Sequence, residues 1–408
     1  MKSFGEMQES GGALRPFHYT IFIYANAGVF CDGYILSSIG LALITLTPRF
    51  HLDALTTGLI GGSTLFGILV GAPLFGHLTD RHGRRILMIA DLCAFVVVAV
   101  AQIFVTNVWE LIALRFILGL AIGADYPIAT AIIAEFMPPK QRGAALSAME
   151  AVWFLGAAVA YVAGYALLHT GDASWKWILA SPALFALLGL LLRASAPESP
   201  MWLAARQTGE LGRSSFRTIF GPSFRGPLAF VSAMWLLQVV PLFAIYTYAP
   251  TVLSMLGVSS QGPAGSVAIT AAFAVGAFAA MPLVERLGRR PLCIIGFAVA
   301  AVAFGVLPFG GAAVVVIAFL AYAVGMGAAT VLELVYPAEL FPTSIRASAT
   351  GFAAAVSRVG AFVGTFLLPI GLARFGTTSI IFGACVLSVI GLGISLFWAP
   401  ETRGKAIV

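Results

Sequence analysis

His77-Leu-Thr-Asp80-Arg81-His-Gly83-Arg84-Arg85 returns as Pro282-Leu-Val-Glu285-Arg286-Leu-Gly288-Arg289-Arg290, an offset of 205 residues. Glu135-Phe-Met-Pro138, with Arg142 following, returns as Glu339-Leu-Phe-Pro342, with Arg346 following, at an offset of 204. Pro197-Glu198-Ser199 returns as Pro400-Glu401-Thr402 at 203. Three pairs at nearly one spacing imply two homologous halves. In a membrane chain, a duplicated helical bundle with its site between the halves is the architecture of a secondary transporter.

Composition requires the membrane. The chain of 408 residues is 60% hydrophobic and 10% charged, with a mean hydropathy of +0.98. A soluble domain needs far more polar surface than that. Twelve apolar stretches, each near the length that crosses a bilayer as helix, fall at 18–46, 56–78, 86–106, 109–134, 143–168, 175–193, 227–254, 264–284, 291–309, 312–337, 347–372 and 376–398. The fold class expected is therefore an all-α membrane protein of two six-helix bundles. Residues 1–193 and 226–408 form the bundles and 194–225 the linker between them.

Eighteen of the 23 basic residues lie in the termini and the loops on one side, against Arg49, Lys176 and Arg374 on the other. The positive-inside rule then places both termini in the cytoplasm. The net charge of +6 is explained by topology, and no nucleic-acid partner is expected. Cys31, Cys93, Cys293 and Cys385 all sit inside apolar spans, so neither a disulfide framework nor a metal site is expected. The absence of a Walker or Rossmann glycine loop leaves an ion gradient as the expected energy source, with no cofactor. No nucleophile–base set points to an enzyme.

Charged side chains deep in apolar helices are costly and need a partner, a wet cavity or a proton. Depth counting singles out Asp32, Arg115, Asp125, Glu150, Glu333 and Arg358. Asp32 and Arg115 fall at similar depth, and their pairing and separation would make a proton switch. Asp125, beside Pro127, is expected as a proton relay or a local structural group. Arg358 is the expected anchor for a substrate carboxylate, with a salt bridge to Glu333 or Glu150 as the competing reading. Gln238, Glu150, Trp153, Tyr34 and Tyr246 are candidate pocket residues. The loop charges Asp80, Arg81, Arg84 and Arg85, with Gly76, are expected to close the cytoplasmic side, and Glu135, Arg142, Glu285, Arg286, Glu339 and Arg346 to form the symmetric counterpart.

Over nearly its whole length the chain resembles the major facilitator superfamily, in the branch around the sugar porters and metabolite:proton symporters. Gly76, Leu78, Asp80, Arg81, Gly83, Arg84 and Arg85 match the superfamily's loop signature. Pro197-Glu-Ser-Pro-Met-Trp-Leu203 and Pro400-Glu-Thr-Arg-Gly404 resemble the sugar-porter endings. The pattern by which sugar porters read a hexose on helix 7 survives only as Gln238, with Pro241 and Phe243 at two other positions. Gly123-Ala-Asp125-Tyr-Pro127 resembles proton-coupled phosphate transporters. Arg115 to Gly143, Met149 to Trp153, and Ala353 to Gly360 look most like bacterial niacin-type and organic-acid transporters. The resemblance implies alternating access, with a proton and a small organic anion as ligands; a monomer is expected, and the compact loops and termini suggest a bacterial inner membrane. A sugar or polyol symporter, a phosphate symporter, a drug antiporter and a ligand sensor are the alternatives.

Overall fold

The computed structural model describes residues 15–199, 202–204, 207, 216–255 and 264–403. Helices follow the apolar stretches. α1 is Pro16–Phe50, α2 Ala54–His82, α3 Arg84–Ala101, α4 Val108–Phe136 and α5 Pro139–Leu168. α6 (Ser174–Arg193) is broken at Ser181. After the linker come α7 Arg225–Met255, α8 Ala264–Leu287 and α9 Arg289–Val306. α10 (Ala312–Leu340) bends at Val331. The last helix, Thr343–Phe397, turns at Gly376 (φ 77°) into α11 and α12. A straight helix of that length would run about 80 Å, far beyond a bilayer core of about 30 Å. Twelve spans bring the ends of the described chain back to one face, here called the terminal face.

Local chemistry sets the helix ends. Asp53 caps α2 by accepting from Thr56 N at 2.8 Å. Asn107 caps α4, accepting from Glu110 N at 3.0 Å while Glu110 returns a bond to Thr106 N. Each of these side chains satisfies donors that a helix start leaves open.

Proline explains the breaks at Ser181 and Tyr248. Pro182 cannot donate to Ile178 O, and Ser181 Oγ takes that carbonyl instead at 2.8 Å. Pro250 likewise frees Tyr246 O, and the kink leaves Tyr248 outside helical geometry (φ −118°, ψ 24°). Within each bundle small residues set helix contact. Gly119 of α4 meets Thr64 O of α2, and Gly327 of α10 meets Phe273 O of α8, so closely that a methyl would collide with either carbonyl. Close backbone approach of this kind replaces the hydrophobic drive that lipid cannot supply.

Candidate functional site

The two bundles meet around a central cavity of about 70 Å³. That is room for about five water molecules, a molecule of small-metabolite size. Its walls are largely apolar, from Val29, Leu36, Ile68 and Met149 to Leu242 and Ala354. Four charged side chains enter it: Asp32 from α1, Glu150 from α5, Glu333 from α10 and Arg358 from α11. Tyr126, Trp153, Phe154 and Phe243 supply aromatic surface.

Among the described residues no carboxylate lies within 4.0 Å of Arg358. Its guanidinium instead sits 5.4 Å from the Phe243 ring centre and 5.9 Å from that of Tyr126. Such contacts stabilise a cation by about 0.5–2 kcal/mol but leave its N–H groups for another acceptor. The competing reading, a salt bridge to Glu333 or Glu150, is thus not met among the described residues. All three acids still lie within electrostatic range of Arg358. The cavity holds three carboxyls against one guanidinium.

Of the expected pocket residues, Arg358, Glu150 and Trp153 line the cavity. Tyr34 does not: its OH lies 2.8 Å from Ser181 Oγ and its ring against Phe185. Tyr246 is packed on Trp153, Phe154 and Phe273, behind the wall. Gln238 is buried off the cavity, with Oε1 lacking a partner.

The expected Asp32–Arg115 ion pair is not formed. Arg115, 1% exposed, donates Nε to Ile60 O at 3.2 Å, and its Nη2 has no partner. Equal depth on two helices placed them at one level but could not specify which way each faces. Arg115 lies beneath the seal that closes the cavity away from the termini. There Tyr161 OH of α5 donates to Tyr246 O, the carbonyl freed by Pro250, at 2.6 Å. Tyr248 OH of α7 donates to Thr57 O of α2 at 3.0 Å. Phe66 and Phe362 add a ring contact at 5.4 Å.

Asp125 is brought to an arginine that sequence reasoning assigned to topology. Arg193, wholly buried at the end of α6, holds Asp125 Oδ1 at 2.8 Å and both oxygens of Asp91 at 3.2 Å. Asp91 is not among the charges that depth counting singles out. The signal was present: Asp91 stands in Ile-Leu-Met-Ile-Ala-Asp91-Leu-Cys and Arg193 closes a run of leucines.

The loop charges pair within bundles. Arg84 meets Glu135 at 3.6 Å; Arg289 meets Glu339 at 2.6 Å and Glu285 at 2.8 Å. Thr402 Oγ1 donates to Glu339. The carboxylate of Glu198 accepts from Arg84 N and Arg85 N, and that of Glu401 from Arg289 N and Arg290 N. Arg286 contributes its carbonyl, which accepts from Arg403 Nη1 at 2.8 Å. Burial opposes ionisation of Glu401, but the N–H groups of Arg403, Arg289 and Arg290 outweigh it and hold the carboxyl below its ordinary range. These pairs differ from the expected tie between bundles: each described one joins elements of a single bundle. Gly76 and the side chains of Asp80, Arg81, Arg142 and Arg346 lie outside the described residues.

Comparison with known proteins fits this arrangement. The profile of the family described as "Sugar (and other) transporter" matches residues 22–227 and again 220–407. The chain belongs to that family. It is 39% identical over 415 residues (96% of this chain, 94% of the other) to a protein of Escherichia coli (strain K12) provisionally named the metabolite transport protein YaaU. It is 28% identical over 387 residues (93% and 95%) to one of Bacillus subtilis (strain 168) provisionally named the niacin/nicotinamide transporter NiaP. The crystal structure of a D-xylose-proton symporter superposes with a TM-score of 0.80 over 95% of this chain and 99% of that one, at 24% identity. The protein is thus an integral membrane transporter, and its relatives are transporters rather than enzymes.

Proposed function

We propose that this transporter is a proton symporter for a small organic anion, with an aromatic or other monocarboxylate as substrate. The observation that carries the reading is Arg358: a guanidinium facing the cavity, with no carboxylate partner among the described residues, set between aromatic rings. A planar carboxylate takes two parallel hydrogen bonds from such a group, and its ring has aromatic surface to lie on. The likeness to the niacin-type relative points the same way.

Proton coupling follows from charge. Asp32, Glu150 and Glu333 share the cavity with Arg358. Were all three ionised, a bound anion would meet excess negative charge in a medium where such repulsion is strong. An anion therefore binds well only when carboxyls carry protons. Asp32, with Oδ1 buried and without a donor, is the proton carrier in this reading. In the other half of the cycle Arg115 is released from the seal and draws Asp32 back to its ionised form. With the terminal face in the cytoplasm, the state described is closed to the outside. Gly76, Asp80, Arg81, Arg142 and Arg346 complete the cytoplasmic gate. The protein acts as a monomer in a bacterial inner membrane.

A sugar substrate is the second reading, favoured by the solved xylose symporter and by the matching Pro-Glu endings. Uptake into proteoliposomes of labelled nicotinate, benzoate, lactate, hexose and phosphate, with and without an inward proton gradient, separates the two. Gradient-driven acid uptake that is lost in Arg358→Ala is the expected result. Hexose uptake indifferent to that change would replace the anion reading with the sugar one.

A further inference from the structure

Arg193 is saturated. Nε donates to Tyr24 O (2.7 Å), Nη1 to Met88 O (2.9 Å) and Asp91, and Nη2 to Ala25 O (3.1 Å) and Asp125. One side chain from α6 thus ties α1, α3 and α4 together at a point with no solvent exposure.

The charges do not balance there. Arg193 faces two buried aspartates, and Asp32 is a third nearby. A dry site does not sustain such an excess of negative charge; a proton is taken up instead. Two geometric observations say where. Asp91 and Asp125 sit on the two terminal nitrogens of one guanidinium, Asp91 on Nη1 at 3.2 Å and Asp125 on Nη2 at 2.8 Å, so two carboxyls are gathered at a single cation. Oδ2 of Asp125 has no N–H or O–H donor.

Asp125 also abuts α1. Gly28 is so close to its carboxylate that any side chain there would overlap it. Asp32 follows Gly28 by four residues, one helical turn along the same face. The groups facing this point are Cys31 and Asp32 from α1, Asp91 from α3, Asp125 from α4 and Arg193 from α6, with Arg358 of α11 reaching Asp32 across the cavity. Arg193 and Arg358 are the cations in this set.

We propose that Asp91 and Asp125 form a second proton-binding site: one proton shared between two carboxyls, oriented by Arg193 and electrostatically linked to Asp32. Arg193 with one carboxylate and one carboxylic acid is neutral, which permits its burial. Asp32 lies one helical turn from the point where Asp125 meets Gly28, so a charge at the cavity is felt inside the N-terminal bundle. The link to Asp32 rests on the reading of Asp32 as proton carrier; the shared proton does not.

The test uses the full chain in lipid nanodiscs, without substrate or gradient, so that it stands apart from the uptake panel. Infrared spectra across pH report protonated carboxyl groups through their C=O band and its shift in D₂O. Asp91→Asn and Asp125→Asn should each fold, and each should lose one protonated carboxyl relative to the parent at neutral pH. The double variant leaves Arg193 without a counter-charge and should fall sharply in melting temperature. Asp32→Asn should move the disappearance of the pair's band to lower pH. If neither single variant loses a protonated carboxyl, or both fail to fold because two carboxylates are required, the shared proton is wrong. An unmoved band in Asp32→Asn would overturn the link alone.

Discussion

The two halves of the protein carry the same clamp but different interiors. In the N-terminal half Gly83 (φ 100°) turns the chain so that Arg84 N and Arg85 N meet Glu198; in the C-terminal half Gly288 (φ 96°) does the same for Arg289 N, Arg290 N and Glu401. Arg84 reaches Glu135 as Arg289 reaches Glu339. None of the interior charges is repeated. At offsets of 204 or 205, Asp91 corresponds to Gly296, Asp125 to Ala329, Glu150 to Ala354 and Arg115 to Phe319, while Arg358 corresponds to Phe154. What both halves share is what every six-helix bundle needs to hold its ends. What one half has alone is, on the proposed function, what the ligand and the proton need.

This contrast can be broken most severely at Arg193. Arg193→Leu strands Asp91 and Asp125, and removing one partner of a buried ion pair costs about 3–5 kcal/mol. Thermal unfolding should show that loss, whereas Leu396→Met, at the corresponding end of α12, should leave stability nearly unchanged. Equal effects at the two sites would erase the distinction between clamp and interior.

The ligand side comes next. Arg358→Ala should weaken binding of the transported anion by about 2–3 kcal/mol, about 30- to 150-fold, the worth of a pair of charge-assisted hydrogen bonds. Melting temperature should hardly move, because no carboxylate loses its partner. Isothermal titration with the acid identified in the uptake panel measures the first effect, and a melting curve the second.

The seal between bundles offers a smaller effect. Tyr161→Phe removes the donor to Tyr246 O, a bond worth about 1 kcal/mol net. Pro250→Ala restores an N–H that can take the same carbonyl within α7. Both changes should raise the labelling rate of a cysteine placed at Thr57 several-fold. An unchanged rate would mean that the seal does not depend on the proline-freed carbonyl.

The smallest effect is the matched one. Glu198→Gln and Glu401→Gln should each cost about 1–2 kcal/mol, the worth of hydrogen bonds from backbone N–H groups to a charge. The Glu401 contribution has a pH sign. Its folded carboxyl titrates below the ordinary range, so the stabilisation is complete above the ordinary glutamate value and is lost as pH falls through the folded one. Melting curves of the parent and Glu401→Gln should converge in acid.

Much of the architecture was legible because lipid makes sequence literal. With no water to satisfy the backbone, every crossing must be an apolar helix, so the spans and the duplication could be counted. The Gly-Arg-Arg repeats marked the clamps by number, although their charges were expected to tie the bundle ends together rather than to pair within a bundle, and the Pro-Glu repeats marked only the duplication. In the interior, one-dimensional reading led to the cavity where a residue is exceptional on its own helix. Arg358, Asp32 and Glu150 stand out against alanine, glycine and valine, and all three reach the cavity. It failed where the answer depends on rotation about a helix axis. Tyr34, Tyr246 and Gln238 are suitable groups that face elsewhere, and Arg115 lies at the right level with Ile60 O as its partner instead of Asp32.

By itself, then, the sequence determined a duplicated twelve-helix transporter, its clamps and its inventory of buried charge, because hydropathy, spacing and the cost of a charge in lipid are properties of residues in order. Only the tertiary structure decided which charges meet. Arg193 with Asp91 and Asp125, and Arg358 with no carboxylate partner among the described residues, arise from the facing of α1, α3, α4, α6 and α11, and a contact between helices far apart in sequence is fixed by packing that no single helix encodes.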